Sequence, residues 1–261
     1  MGIPTKNVPL SYYNMTFIQM KKYYFLFLAI LAFISCNSDG IKLTTEAINS
    51  KSCKDCAKVS INLPKATGNF VADSINQHLN DYAIQVLNYT EEHTSESIKQ
   101  EVENFVSEYQ KMKKDFPDMA AVWEATIDGN VSYQTEDLIS LQLDSYVYTG
   151  GAHGYGAVSY MNIDAKTGAL LETKDLFTDF SAFKVLVEKK FRQIHNIPEK
   201  ESINSTGFMF DNDVFELPQN IGYNEKGIVL IYNPYDIAAY AEGMIKIEIP
   251  FDDLQNNLII K

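Results

Sequence analysis

Histidine is the side chain best suited to acid–base or ligand chemistry near neutral pH, and the 261 residues hold only four: His78, His93, His153 and His195. No two of them stand at the i, i+4 spacing that turns two imidazoles toward one metal ion on a helix. His153 has the most unusual surroundings, Tyr148-Thr-Gly-Gly-Ala-His-Gly-Tyr-Gly156. Glycines at that density mark a connection whose backbone takes φ > 0 or passes close to another group. An acid, base or ligand role for His153 needs partners within hydrogen-bond reach, and the spacing names none. The simpler role is a tight β-connection whose histidine bonds a neighbouring strand. No catalytic residue, metal ligand or cofactor is assigned.

Cysteine chemistry is equally spare. Cys53-Lys-Asp-Cys56 would be a redox dithiol at the start of a helix, or half of a zinc site if a second pair completed four ligands. Neither condition is met, because the alternation of Lys58 to Leu63 reads as a strand and no other cysteine remains once Cys36 is modified. In an oxidising compartment the pair closes as a disulfide or stays incidental. Asp211-Asn-Asp213 opens like a calcium loop, but the central glycine and final glutamate of the twelve-residue pattern are missing.

The clearest chemistry lies at Cys36. Residues 1–35 carry Lys6, Lys21 and Lys22 with no acidic residue, then an apolar run from Tyr23 to Ile34. A basic region, an apolar stretch of about a dozen residues and a small residue form a secretory signal. The run is short of the roughly 20 residues of a spanning helix. Phe33-Ile-Ser-Cys36 resembles the bacterial lipoprotein box, with Phe33 where leucine is usual, so the expectation is a lipid on Cys36. Met20-Lys-Lys22 has the form of a natural start. Cleavage leaves 19 basic against 34 acidic residues, a net charge of −15. That charge disfavours nucleic acid, suits a cationic protein partner, and keeps an exported domain soluble.

The elements that position these residues follow from periodicity. Residues 37–52 are polar and aperiodic, a tether between lipid and fold. A strand from Lys58 ends at Pro64. Val71, Ile75, Leu79, Tyr82 and Val86 then mark an amphipathic helix. A second helix carries Ile98, Val102, Phe105, Tyr109 and Met112, with Thr94-Ser95 as cap candidates and Pro117 beyond its end. From Met119 the period becomes two, and Asp128-Gly-Asn130 has the composition of a hairpin turn. Ile139, Leu141, Leu143 and Val147 lead into the glycine-rich connection. Ala157, Ser159, Met161 and Ile163 return from it to a turn at Asp164–Gly168, an antiparallel meander. Phe180 to Ile194 is a third helix, with Asp179 as N-cap and His195 in its last turn, where a cation suits the dipole. Ile221–Tyr223 and the apolar run Ile228–Tyr232 form a hairpin whose second strand is buried on both faces. An irregular segment from Asn233 to Gly243 precedes a last strand, Met244–Ile249, and a short closing helix. The fold class is α+β: antiparallel sheets packed with about three amphipathic helices, in two lobes.

Three separated motifs carry a resemblance. Gly150-Gly-Ala-His-Gly154, the turn Asn162-Ile-Asp-Ala-Lys-Thr-Gly168 with Asp175-Leu-Phe177, and the run Gly227 to Gly243 are together similar to the RsiV-like domain of unknown function. Residues 54–130 resemble the domain that commonly precedes it, found also beside the catalytic domain of the peptidoglycan deacetylase PdaC. The implied organisation is a signal peptide at 1–35, a lipidated tether at 36–52, a PdaC-like domain at 53–135 and an RsiV-like domain at 136–261. The resemblance implies a cell-envelope role, since the family's best-understood member is an anti-sigma factor whose exported domain binds lysozyme. The chain departs from that architecture in having no sigma-binding segment and no permanent membrane span. The deacetylase chemistry sits in a separate metal-dependent domain, which four dispersed histidines do not replace.

The expected function is therefore that of an exported protein, lipid-anchored at the periplasmic or outer surface, that binds a cationic protein such as lysozyme or a peptidoglycan fragment. Tyr148, His153 and Tyr155 in the glycine-rich connection, with Tyr235 and Tyr240 in the late irregular segment, are the candidate contacts, because tyrosine rings suit sugar stacking. The alternatives are an envelope polysaccharide hydrolase or deacetylase accessory, pairing His153 with Asp144 or Asp164, and a structural envelope subunit.

Overall fold

The computed structural model describes residues 40–51, 55–88, 94–254 and 257–259. The signal peptide, Cys36, Cys53 and His93 lie outside them. Residues from Gly40 onward form one compact unit, built on two sheets, each with its own core.

The first sheet has the order β1-β2-β3-β4-β5, comprising β1 (Lys42–Asn49), β2 (Lys58–Thr67), β3 (Glu124–Gln134), β4 (Leu138–Tyr148) and β5 (Tyr155–Asp164). Part of the stretch expected as a tether thus contributes an edge strand. Its apolar content, Leu43 and Ile48 packed on the core, is too sparse and too irregularly spaced to announce a strand without its partner. β2 does not stop at Pro64 but runs on to Thr67, with Pro64 opposite Thr45. The parallel pairing of β2 with β3 has already ended at Asn62, so the missing N–H of proline interrupts no bond there.

Two helices make the crossover between the parallel strands, α1 (Val71–Leu87) and α2 (Ile98–Asp115). Asn69 accepts from the amide of Val71, and Asn76 closes two hydrogen bonds with the backbone of Ala66, fixing α1 to the end of β2. The N-cap of α2 is Ser97, accepting from the Gln100 amide, and not the Thr94-Ser95 pair. Ser95 instead donates to the buried Glu101 carboxylate. Trp123 fills the space under α2 against Phe105 and Tyr109, with ring centroids 5.4 and 5.9 Å away.

Asp128-Gly-Asn130 is not a turn. β3 passes straight through it, with Gly129 opposite Leu143. Glycine is needed there for space: a Cβ would lie 2.8–2.9 Å from Leu63, Leu143 and Pro64. The actual hairpin lies at Thr135, whose hydroxyl accepts from the amides of Asp137 and Leu138.

The second sheet, β6 (Asn220–Asn224), β7 (Gly227–Tyr232) and β8 (Ile245–Pro250), is antiparallel throughout. β7 is buried along its whole length. Ile228, Leu230 and Tyr232 face the core under α3 (Phe180–Ile194), while Val229 and Ile231 meet Val158 and Tyr160 of β5. α4 (Phe251–Leu254) closes the chain. Asp179 caps α3 as its sequence predicts. His195 does stand at the C-terminus of α3, but burial beside Phe191 and Phe208 lowers its pKa below 6.5, against the cationic form.

A buried polar network joins the sheets. Ser140 donates to Asn162 and accepts from the Tyr223 amide, while Asn162 donates to the carbonyl of Ile221. Gly222 lies against the Tyr160 ring, leaving no room for a Cβ.

Candidate functional site

The glycine-rich connection is the β4–β5 hairpin loop, at one end of the first sheet. Gly150 and Gly151 take φ of 105° and 93° there, values at which a side chain would be strained. Gly154 is small for another reason: its Cβ would fall 2.4–2.6 Å from the Tyr146 ring. Tyr148 donates to the carbonyl of Gly151 at 3.1 Å, bracing the loop internally.

His153 does bond its own connection, Nδ1 standing 2.9 Å from the Gly154 carbonyl. Its ring also lies on Tyr240, with centroids 4.0 Å apart and planes 19° from parallel. Tyr240 donates to the Gly154 carbonyl at 3.0 Å and has Tyr235 on its flank at 5.5 Å. Tyr155 donates to the Pro234 carbonyl at 3.5 Å. Partial burial, reinforced by the Asp236 carboxylate, raises the Tyr155 phenol above 10.0, so it stays a donor at neutral pH.

Four of the five residues expected at the site, His153, Tyr155, Tyr235 and Tyr240, therefore converge from two segments about 80 residues apart in sequence. Tyr148 stays within the hairpin. Tyr155 and Tyr235 remain 45% and 58% exposed, so aromatic surface is presented rather than consumed in a core. Tyr235 also holds φ at 75°, a conformation that costs a non-glycine residue about 1 kcal/mol or more.

Asn233, not singled out by sequence reasoning, aligns the two segments. Its buried side-chain amide donates to the Val158 carbonyl at 3.0 Å and accepts from the Val158 amide at 2.8 Å, acting as one residue of an added strand. Asp236 accepts from the Asn233 amide, holding the turn that lifts Tyr235. The only available sequence signal was Asn233-Pro-Tyr-Asp236, whose composition marks a turn but not what it clasps.

Other candidates fall elsewhere. His78 Nε2 sits 3.0 Å from the Gly168 carbonyl, fixing the Asp164–Gly168 turn to α1. Asp164 accepts from the amides of Lys166 and Thr167. The length of β5 separates Asp164 from the hairpin loop, about 30 Å at the rise of a strand, so it cannot serve His153. Asp144 is bound by Gln142. Cys56 is disulfide-bonded. Asp211 and Asp213 join no group of three or more His, Cys, Asp or Glu side chains able to hold a metal ion among the described residues.

Fold and site define an α+β protein of two sheets, with an exposed aromatic group where the hairpin of one meets the β7–β8 connection of the other. Residues 50–155 match the family described as Deacetylase PdaC, and residues 174–252 match the one described as Protein of unknown function (DUF3298). The chain carries these two domains in that order. Among solved structures it is similar to a DUF3298 family member from Bacteroides fragilis, with 22% identity, a TM-score of 0.65 and coverage of 85% of this chain and 95% of that one. A DUF3298 family protein from Pseudomonas aeruginosa shares 17% identity at a TM-score of 0.55, covering 84% and 93% respectively. No curated protein matches.

Proposed function

We propose that this envelope-associated protein is a lipid-anchored binding module, and that His153, Tyr155, Tyr235 and Tyr240 form its contact face for a glycan of the peptidoglycan type. The observation that carries this reading is Tyr235, a large aromatic side chain held exposed on a left-handed backbone. Folding does not favour that arrangement, whereas stacking on the apolar face of a sugar ring uses it. Asp236 and Glu242, both exposed in the segment that carries Tyr235 and Tyr240, add acceptors for sugar hydroxyls. The pairing of a PdaC domain with a DUF3298 domain supports the envelope setting.

The same two carboxylates, and a net charge of −15 beyond Cys36, favour a second ligand, a cationic protein such as lysozyme. A hydrolytic reading has less support, because Asp164 lies at the far end of β5 from His153 and Asp144 is bound by Gln142. Titration calorimetry of the unlipidated mature domain against soluble peptidoglycan fragments and against lysozyme, at low and moderate salt, separates the readings. Saturable fragment binding little changed by salt supports the glycan face, and lysozyme binding weakened by salt supports the cationic partner. Absence of both contradicts the proposal.

A further inference from the structure

The two ends of the first sheet differ in kind. The hairpin loop with its aromatic group occupies the end where β4 finishes and β5 begins. At the other end β1 starts, with Lys42 opposite Thr67, three residues before Phe70. Phe70 is 75% exposed, the most exposed large apolar side chain among the described residues. It occupies the N-cap position of α1 without any side-chain capping bond, so it does nothing for the helix that serine or aspartate would not do better. The Asp164–Gly168 turn packs onto the same helix start, where Ser74 donates to the Gly168 carbonyl at 2.8 Å. Leu170, two residues on, is 50% exposed. Lys166 on this turn is paired with Asp137, so part of its charge is already met locally.

Cys36 stands four residues before Gly40, and four residues reach at most about 14 Å. A lipid on that cysteine would hold this end of the sheet against the bilayer. We infer that the molecule stands on the membrane by the β1–α1 end, with Phe70 seated in the lipid interface, and presents the aromatic group on its far side. An exposed aromatic ring beside the acyl anchor adds an interfacial contact that fixes which end faces the bilayer. The length of β5 sets the height of the ligand face, about 30 Å above that contact. This inference rests on the reading that Cys36 is acylated.

The test uses the full-length lipidated chain in vesicles of phosphatidylethanolamine and phosphatidylglycerol, with and without phosphatidylcholine brominated in its acyl chains. Phe70→Trp and Tyr155→Trp place a reporter at either end; the sole native tryptophan, Trp123, is buried and gives the common background. Mass spectrometry of the vesicle-bound protein establishes the acyl chain on Cys36. The expected result is that the Phe70→Trp signal loses most of its emission to the brominated lipid while the Tyr155→Trp signal keeps its own. With the acyl chain present, an unquenched Phe70→Trp signal or a quenched Tyr155→Trp signal overturns the orientation alone. A chain without acylation at Cys36 overturns the anchor and the orientation together.

Discussion

Tyr235 sets local stability against presentation of a ring. Glycine at φ 75° relieves about 1 kcal/mol of backbone strain, and the ring it removes makes one flanking contact, with Tyr240. Tyr235→Gly is expected to unfold at no lower denaturant concentration than the natural protein, while its fragment affinity falls about tenfold, the equivalent of 1.4 kcal/mol. Tyr240→Ala is expected to lower affinity at least as far and also to release the hairpin, since it removes both the stack on His153 and the bond to Gly154. At His195 the prediction concerns pH. Burial depresses its folded pKa below 6.5, so the unfolded chain binds the proton first. Stability is full above 6.5, falls as pH drops below that value, and levels off once the folded state is protonated too. His195→Gln should flatten this part of the urea midpoint against pH. His153, Tyr155, Tyr235 and Tyr240 were conspicuous by type, in segments too irregular for pure packing, and the fold brings them together. Asn233 and Asp236 were not, because their work is to clasp a strand distant in sequence, which no local pattern encodes.

Between elements, Gly129 and Asn162 make the strongest predictions. Gly129→Ala places a methyl group against Leu63, Leu143 and Pro64 and should cost about 1–3 kcal/mol, read as a lower urea midpoint. A glycine in a turn would tolerate the same change if its φ were negative. The Asp-Gly-Asn signal misled because a turn and a crowded strand both call for glycine, and only the partner strands tell them apart. The helices were legible because each shows its apolar stripe within its own sequence. β1 was not, since its order comes from pairing with β2. Asn162→Ala leaves the Ile221 carbonyl without its side-chain donor and the Ser140 hydroxyl without its acceptor, a loss of about 1–3 kcal/mol. Because that network ties the two sheets together, the variant should also broaden unfolding, detectable as tyrosine and far-ultraviolet signals that no longer coincide.

For the whole molecule, opposite ends of one sheet are proposed to take opposite tasks: attachment where β1 begins and recognition where β4 turns into β5. The acidity of the chain, 34 acidic against 22 basic residues, was legible in the sequence, and so was the order of its two domains. The polarity was not, because it depends on β1 running antiparallel to β2 and on the hairpin opening at the other end, facts of register and topology. The central claim is that ligand meets the aromatic group, and tyrosine-selective NMR of the mature domain tests it most directly. Among the 16 tyrosines of the full chain, Tyr155, Tyr235 and Tyr240 should shift together and saturably as peptidoglycan fragment is added, while the buried Tyr109 and Tyr223 stay still. Saturable shifts confined to other tyrosines, or none at all, would contradict it.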